Sequence, residues 1–359
     1  MKNLLILLFA PVILFSCGSA TEKVRKDFMP IARGEVDEII LVMDSTQYET
    51  ELGDELRDMY QQYMRILPQD EYEFTMNKVN PRKLNDVLKN AMNMIFVMTL
   101  DSKSLESRTI REYFTDQSLK MIQKDSSMFY TVRRDEFAKG QIVLYLFGQD
   151  ESQLIENIKD NKSSLKELFA SAVRERVREK SLKKLEKEIV ASIEEKHGYH
   201  LDVPFGWDIA KDVKDFVWVR KLDGDFEQNV FVYEMPYTSK EVFNDITALR
   251  DNITELYLRD SQKPKKYITR QPTIPLYTQR ITFKGQFAVE ARGLWKISDN
   301  SAGGPFVSYT FVDQQTQKLY YIEGYVYAAG MKKKALVREV DAILSTFKTN
   351  SANKSKEVQ

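Results

Sequence analysis

Glu290, Arg292 and Glu323 are the side chains of this sequence best suited, by type and spacing, to do chemistry. They sit in two apolar-polar alternating runs, Glu290-Ala291-Arg292-Gly293-Leu294-Trp295 and Tyr321-Ile322-Glu323-Gly324-Tyr325-Val326-Tyr327-Ala328. Alternation along a strand puts Glu290 and Arg292 on one face and Trp295 on the other, and it gathers Tyr321, Glu323, Tyr325 and Tyr327 on one face of a second strand. If the strands pair so that these faces coincide, two carboxylates and an arginine meet beside a row of tyrosines. Two readings follow. One is a ligand groove, or a hydrolase of an envelope polymer with Glu290 and Glu323 as acid and base and Arg292 as clamp. The other is an ion pair across a sheet with tyrosines packed beneath a helix, the commoner use of such residues.

Between these runs, Gly303-Gly304-Pro305 reads as a loop, either exposing amides to an anion or simply connecting strands. Gly293 and Gly324 are positioned to let a helix or Trp295 approach the sheet closely. The only histidines, His197 and His200, straddle Gly198 and read as exposed residues at a boundary, without the third ligand that a metal site needs. Asp44-Ser45-Thr46, at the end of an apolar run, reads as a helix cap, because no glycine-rich phosphate loop occurs in the chain. No cofactor motif is present, and a Ser-His-Asp triad would have to recruit one of the two histidines. Lysine plus arginine equals aspartate plus glutamate at 53 each, so no global field draws nucleic acid to the chain.

The elements that must position these residues fall into two texture classes, which together predict an α+β protein. Residues 38–196 alternate strand and helix signals. Strands are expected at Glu38–Met43, Tyr72–Val79, Met94–Leu100, Ser126–Arg134 and Gln141–Gly148, the last two as a hairpin around Lys139-Gly140. Helices are expected at Tyr48–Leu67 and Pro81–Ala91. This is an α/β layer with a mixed sheet, ending in a long charged helix from Glu151 to Lys196 that is expected to break near Asp160–Ser163. Its apolar stripe loses phase between Val177 and Leu182, so no coiled coil is predicted, and its mixed charges read as a solvated face. Residues 197–348 read as an antiparallel sheet packed with two helices, Ser239–Arg259 and Met331–Phe347, with a hairpin turning at Asp223-Gly224. Residues 349–359 read as a disordered tail.

Residues 1–16 carry a lysine followed by an apolar run and the box Leu14-Phe15-Ser16-Cys17, the pattern of a lipoprotein signal peptide. Cys17, the only cysteine, is the expected site of lipidation by diacylglyceryl and fatty acyl (palmitate) groups, after which no thiol remains for disulfides or metal ligation. Residues 17–37 then form a tether, and no second apolar run approaches the ~20 residues of a membrane span. Ser19 stands where an aspartate would retain the protein in the inner membrane. The expectation is therefore an outer-membrane lipoprotein facing the periplasm, attached to the membrane only by lipid, with an envelope protein or a small ligand as partner.

The Arg292–Trp295 box, the Gly303–Ser308 segment and the Glu323–Ala328 run, in this order, resemble a family of uncharacterised Bacteroidetes cell-envelope lipoproteins, a domain of unknown function. That resemblance implies location and architecture and carries no mechanism. The segment Leu201–Trp207, with its Pro-x-Gly-Trp turn, and the order of hairpin, helix, strands and closing helix after it are similar to PsbP-like domains. Such domains bind or assemble more often than they catalyse, which implies a non-catalytic binding or assembly module with a contact surface at Glu290, Arg292, Trp295, Gly303, Gly304, Glu323, Tyr325 and Tyr327.

Overall fold

The computed structural model describes residues 28–349, and the apolar runs of the first half become its buried strands. In chain order these elements are β1 (Glu38–Val42), α1 (Ser45–Tyr48), α2 (Glu51–Tyr60), β2 (Thr75–Val79), α3 (Asp86–Lys89), β3 (Asn93–Thr99), α4 (Leu105–Arg111), α5 (Asp116–Lys124), β4 (Tyr130–Arg134), β5 (Ile142–Gly148) and α6 (Glu151–Ser181). The sheet order is β2-β1-β3-β5-β4, with β1, β3 and β5 parallel and β4 antiparallel to β5. It is the expected mixed α/β layer.

Several boundaries differ from expectation. The first long helix stops at Tyr60 rather than near Pro68, and the Pro81–Ala91 stretch is a 3-10 turn followed by one helical turn. Helices α4 and α5 lie in a stretch with no expected element. They start with side-chain caps, Ser104 accepting from the Ser107 amide at 2.9 Å and Thr115 from the Ser118 amide at 3.1 Å. Helix α6 runs without interruption through Asp160–Ser163. The break comes after Ser181, next to the point where the apolar stripe loses phase. The end of the expected tether is docked: Ala32 N donates to Lys139 O at 2.9 Å and Arg33 N to Asn90 O at 2.8 Å. The signal segment, Cys17 and residues 350–359 lie outside the described residues.

The second half continues as α7 (Lys187–His197), β6 (Tyr199–His200), β7 (Asp208–Val213), β8 (Phe216–Asp223), β9 (Phe226–Pro236), α8 (Ile246–Tyr257), β10 (Ile268–Arg270), β11 (Tyr277–Phe283), β12 (Gln286–Ile297), β13 (Gly303–Asp313), β14 (Lys318–Tyr327), α9 (Lys334–Leu344) and β15 (Lys348–Thr349). Gly198 ends α7 in the left-handed conformation at φ 71°. The large sheet has the order β10-β12-β13-β14-β9-β8-β7, with β11 paired to β12 beside β10, and every pairing in it is antiparallel. The expected helix from Ser239 begins as a 3-10 turn and becomes α-helical only at Ile246.

Each face of this sheet buries its own core. On one face Val217, Val230, Val307, Ile322 and Val326 pack with Val337, Val340 and Ile343 of α9. On the other, Phe216, Phe231, Phe306, Tyr321 and Tyr325 pack with Ile246 and Ile253 of α8. Gly324 is what admits α9, since a Cβ there would lie 2.7 Å from Val340 Cβ. By packing, the described residues divide into one unit reaching to Tyr48 and including Asn77–Leu154, and a second made of Glu49–Met76 with the residues from Ile155 onward. Helix α2, and α6 from Ile155 onward, therefore belong to the second unit, where Tyr60 donates to Leu165 O at 3.2 Å and meets Phe169 edge-on at 5.7 Å.

Candidate functional site: a cleft at the edge of the large sheet

Registry decides where the three sequence-highlighted charges go. Glu290 pairs with Tyr309, and Tyr309 with Ile322, whereas Glu323 pairs with Ser308 and Ser308 with Ala291. Directly paired residues share a face, so Glu290 and Arg292 point to the α9 side and Glu323 to the α8 side. The strands that carry them are adjacent through β13, but the two carboxylates cannot act on one bond.

Glu323 is sealed. It is fully buried and accepts from Arg250 of α8 through Nε at 2.8 Å and Nη2 at 2.7 Å, and from the Tyr321 hydroxyl at 2.6 Å. Burial pushes its carboxyl above the ordinary range, with the guanidinium opposing. Arg250 recurs with Ile246, Ile253 and Tyr257 at helical spacing on the apolar face of α8, the one signal by which the sequence could have announced this pair. Trp295, Tyr325 and Tyr327 share that face. The Trp295 indole donates to Val326 O at 3.1 Å and its ring meets Tyr325 edge-on at 5.4 Å.

Gly303 and Gly304 are not a loop but the first residues of β13, opposite Lys296 and Trp295. A Cβ on Gly304 would lie 2.0 Å from Val326 O, so the glycine serves close strand approach. The histidines are engaged rather than exposed: His197 is buried and 2.8 Å from Asp212, and His200 sits 2.5 Å from Glu194 and 2.9 Å from Asp202. Among the described residues no cluster of side chains could hold a metal ion. Asp44 caps α1 as expected, accepting from Thr46 N at 2.7 Å.

Glu290 and Arg292 instead line a cleft of about 700 Å³ within the second unit. Its walls are the β11–β12 edge, α6, α9 and the segment 62–74 that follows α2. Arg292 Nε donates to Glu290 at 2.5 Å and its Nη2 to Asp341 of α9 at 3.3 Å, while Gln279 donates to the other Glu290 oxygen at 2.5 Å. Tyr309 donates to Asp341 at 2.6 Å. Burial alone would lower the Arg292 pKa; Asp341 and Glu290 outweigh it and hold the guanidinium charged. Burial, followed by the Asp341 charge, drives the Tyr309 phenol well up.

The remaining charges on the cleft are mostly matched. Lys166 pairs with Glu73 at 2.6 Å and Arg174 with Glu167. Val173, Val177, Ile281 and Phe283 supply an apolar lining. Arg65 differs. Its guanidinium stands 4.4 Å over the Tyr277 ring and forms no ion pair among the described residues. Ile66, next to it, sits at φ 56°, where a β-branched residue is rarely found. Arg65 carries no sequence signal, and the apolar stripe of α6 does not say that it faces β11, since the two meet only through packing of distant segments. Every carboxylate lining the cleft is thus held by a cation.

Residues 186–346 match the family model described as domain of unknown function DUF4837, and residues 32–182 match the one described as domain of unknown function DUF8532. The chain thus joins regions similar to two uncharacterised domain families. No curated protein sequence matches it. Among solved structures it is similar to the Saccharomyces cerevisiae Ran-binding protein Mog1p at 10% identity, covering 44% of this chain and 92% of that one with a TM-score of 0.30. It is also similar to the lipid transfer and protein localization domain of human StarD13 at 11% identity, covering 44% and 95% with a TM-score of 0.21. Human STARD10 follows at 9% identity, covering 48% and 83% with a TM-score of 0.23. At these scores the likenesses carry no argument about fold or function.

Proposed function

We propose that this protein is a lipid-anchored binding module of the cell envelope whose ligand, an amphiphile bearing a carboxylate, occupies the cleft beside β11. The observation that carries the ligand reading is the cleft itself: an apolar lining with Arg65 at its rim, a cation that no carboxylate of the described residues neutralises. The strained backbone at Ile66 supports it, because such strain collects where a neighbouring group must be held for function. The envelope location rests on the Leu14–Cys17 box, Ser19 and the lipoprotein resemblance, and among the described residues no helix is long and apolar enough to cross a membrane. The periplasmic face of the outer membrane is the orientation these features favour. The order of hairpin, helix and closing helix in the second half supports the PsbP-like comparison and, with it, a binding or assembly role.

Two experiments test this. Thermal unfolding of the purified full chain with dodecanoate should show stabilisation that disappears in Arg65→Ala. Loss of one charge-assisted contact, roughly 1.5–3 kcal/mol, corresponds to a Kd weakened about ten- to a hundredfold. Dodecanoate without effect on either protein sinks the ligand reading. Metabolic labelling with an alkynyl palmitate should tag the wild type and leave Cys17→Ala unlabelled and released from the membrane fraction. Equal labelling of both removes the anchor.

A further inference from the structure

Strand β11 borders the cleft and is an open edge, and the geometry of its hairpin shows which of its backbone groups face outward. It joins β12 through a two-residue turn in which Phe283 pairs with Gln286 and both turn residues have positive φ, Lys284 at 52° and Gly285 at 79°. That is a type I′ turn, whose flanking pair exchanges both ladder bonds. Alternation then commits Phe283, Ile281, Gln279 and Tyr277 to β12, and directs the N–H and C=O of Thr282, Arg280 and Thr278 away from it. Those three residues make no backbone hydrogen bond to any other segment among the described residues, and all three are exposed.

Two edge strands of the large sheet, β7 and β11, are treated differently. Strand β7 at the far end is bulged between Ile209 and Lys211, a device that turns an edge away from new partners. Strand β11 keeps seven consecutive pairs with β12 and no slip. Its Tyr277, Gln279, Ile281 and Phe283 face the cleft, and Thr282, one of the outward-directed residues, also lines it. A strand added to β11 would continue that face and set every second side chain into the cleft with Val173 and Val177 of α6. Arg65 stands at the Tyr277 end. Arg280, on the edge itself, likewise forms no ion pair among the described residues, so the local charge favours an acidic partner over a basic one.

We infer that the ligand of the cleft is an extended peptide that adds to β11 as a further strand, with alternate apolar side chains in the cleft and a carboxylate at Arg65. This rests on the cleft being a binding site and names the class of molecule that fills it. Main-chain pairing supplies affinity in this mode and the alternate side-chain positions supply selectivity.

The test uses the full chain and a library of octapeptides in which randomised apolar residues alternate with threonine and the last residue is glutamate, with a control set ending in glutamine amide, read by fluorescence anisotropy. Selected peptides are then remade with N-methyl groups on alternate residues, in either phase, to block one ladder edge at a time. Arg280→Pro removes an outward N–H while leaving pairing to β12 intact, and its folding is verified by retained dodecanoate stabilisation. The expected result is peptide binding that falls at least tenfold on N-methylation in one phase only, falls at least tenfold in Arg280→Pro, and falls in Arg65→Ala only for peptides with a free carboxylate. Stabilisation by dodecanoate with no peptide selected leaves the cleft reading standing and overturns strand addition. Binding indifferent to N-methylation in both phases also overturns it, as does a homodimer broken by Arg280→Pro with no peptide bound, which would assign the edge to a second copy. No response to either probe removes both readings.

Discussion

Replacing Glu323 by glutamine should damage the second unit more than its size suggests. The substitution keeps the shape of the side chain but leaves the Arg250 guanidinium charged where neither residue is exposed to solvent. Arg250 already has one nitrogen, Nη1, without a hydrogen-bond partner, and the other carboxylate near it, Asp251, stands 4.0 Å away, beyond hydrogen-bond reach, and pairs with Arg270 at 3.2 Å. Removing one member of a buried pair costs roughly 3–5 kcal/mol, because the remaining charge is uncompensated. For a unit of about 200 residues that is a fall of roughly 6–20 °C in midpoint, at 2–4 °C per kcal/mol. The double variant Arg250→Met with Glu323→Leu should recover most of it, since the buried charge disappears and only Tyr321 loses an acceptor, at about 1–3 kcal/mol. Trp207, Trp218 and Trp295 are the three tryptophans of the chain and all belong to the second unit, so indole fluorescence in urea follows this unit alone. A Glu323→Gln protein within about 1 kcal/mol of wild type, or a double variant no more stable than the single ones, would refute the reasoning by showing that water reaches the pair.

Three further outcomes are expected. Burial pushes the Asp44 carboxyl up, but the Ser104 hydroxyl, the Gln47 and Thr46 amides and the Ser107 hydroxyl outweigh it and hold it below its ordinary value. The folded state then binds fewer protons, so this stability is present above the unfolded pKa of about 3.9 and is lost as pH falls through the lower folded value. Ser104→Ala should raise the Asp44 pKa in a carboxyl NMR titration and move acid unfolding of the first unit to higher pH; an unchanged titration refutes the assignment. Gly304→Ala forces a Cβ to within 2.0 Å of Val326 O, and the resulting strand shift should cost about 1–3 kcal/mol and redden the Trp295 emission as its bond to the same carbonyl is disturbed. Glu71→Ala removes the carboxylate that accepts from Lys333 N at 2.6 Å and Lys334 N at 3.2 Å. It should cost about 0.5–2 kcal/mol, as loss of a helix N-cap does, and hydrogen exchange should quicken at the first turn of α9.

What the sequence disclosed was the part of the architecture written in local pattern. The runs at Glu38, Met94 and Gln141 are nearly pure apolar, and all three are central parallel strands. The Asp-Gly turn gave the β8–β9 hairpin, and Gly198 gave the end of α7. Alternation also separated Trp295 from Glu290 correctly. It could not say which face of β12 matches which face of β14, because that depends on the register of both against β13, and a one-residue difference puts Glu323 on the other side. The glycine pair misled for a related reason: Gly303 and Gly304 lack side chains because Trp295 and Val326 need the space, a tertiary demand that reads locally as a turn. The polar cluster at Asp160–Ser163 suggests a break in the long helix, but the loss of phase after Val177 marks its true end. The cleft was illegible, since residues 62–74, 166–177, 277–292 and 338–345 share no local signal and meet only in the folded unit.

The second unit takes its first strip of chain, Glu49–Met76, long before the rest of itself. Glu71 and the amide it caps at Lys333 are 262 residues apart, so this strip leaves the ribosome with its partners still unmade. The first unit can close as soon as Leu154 has emerged, while α2 and the segment after it must wait for nearly the whole remaining polypeptide. Non-local closure of this kind slows folding and prolongs the exposure of apolar side chains such as Leu52, Leu56 and Phe74. A gene cut between the two family matches, near residue 184, would therefore yield a C-terminal fragment lacking both this strip and α6, with the flank of α9 and the cleft laid open to aggregation.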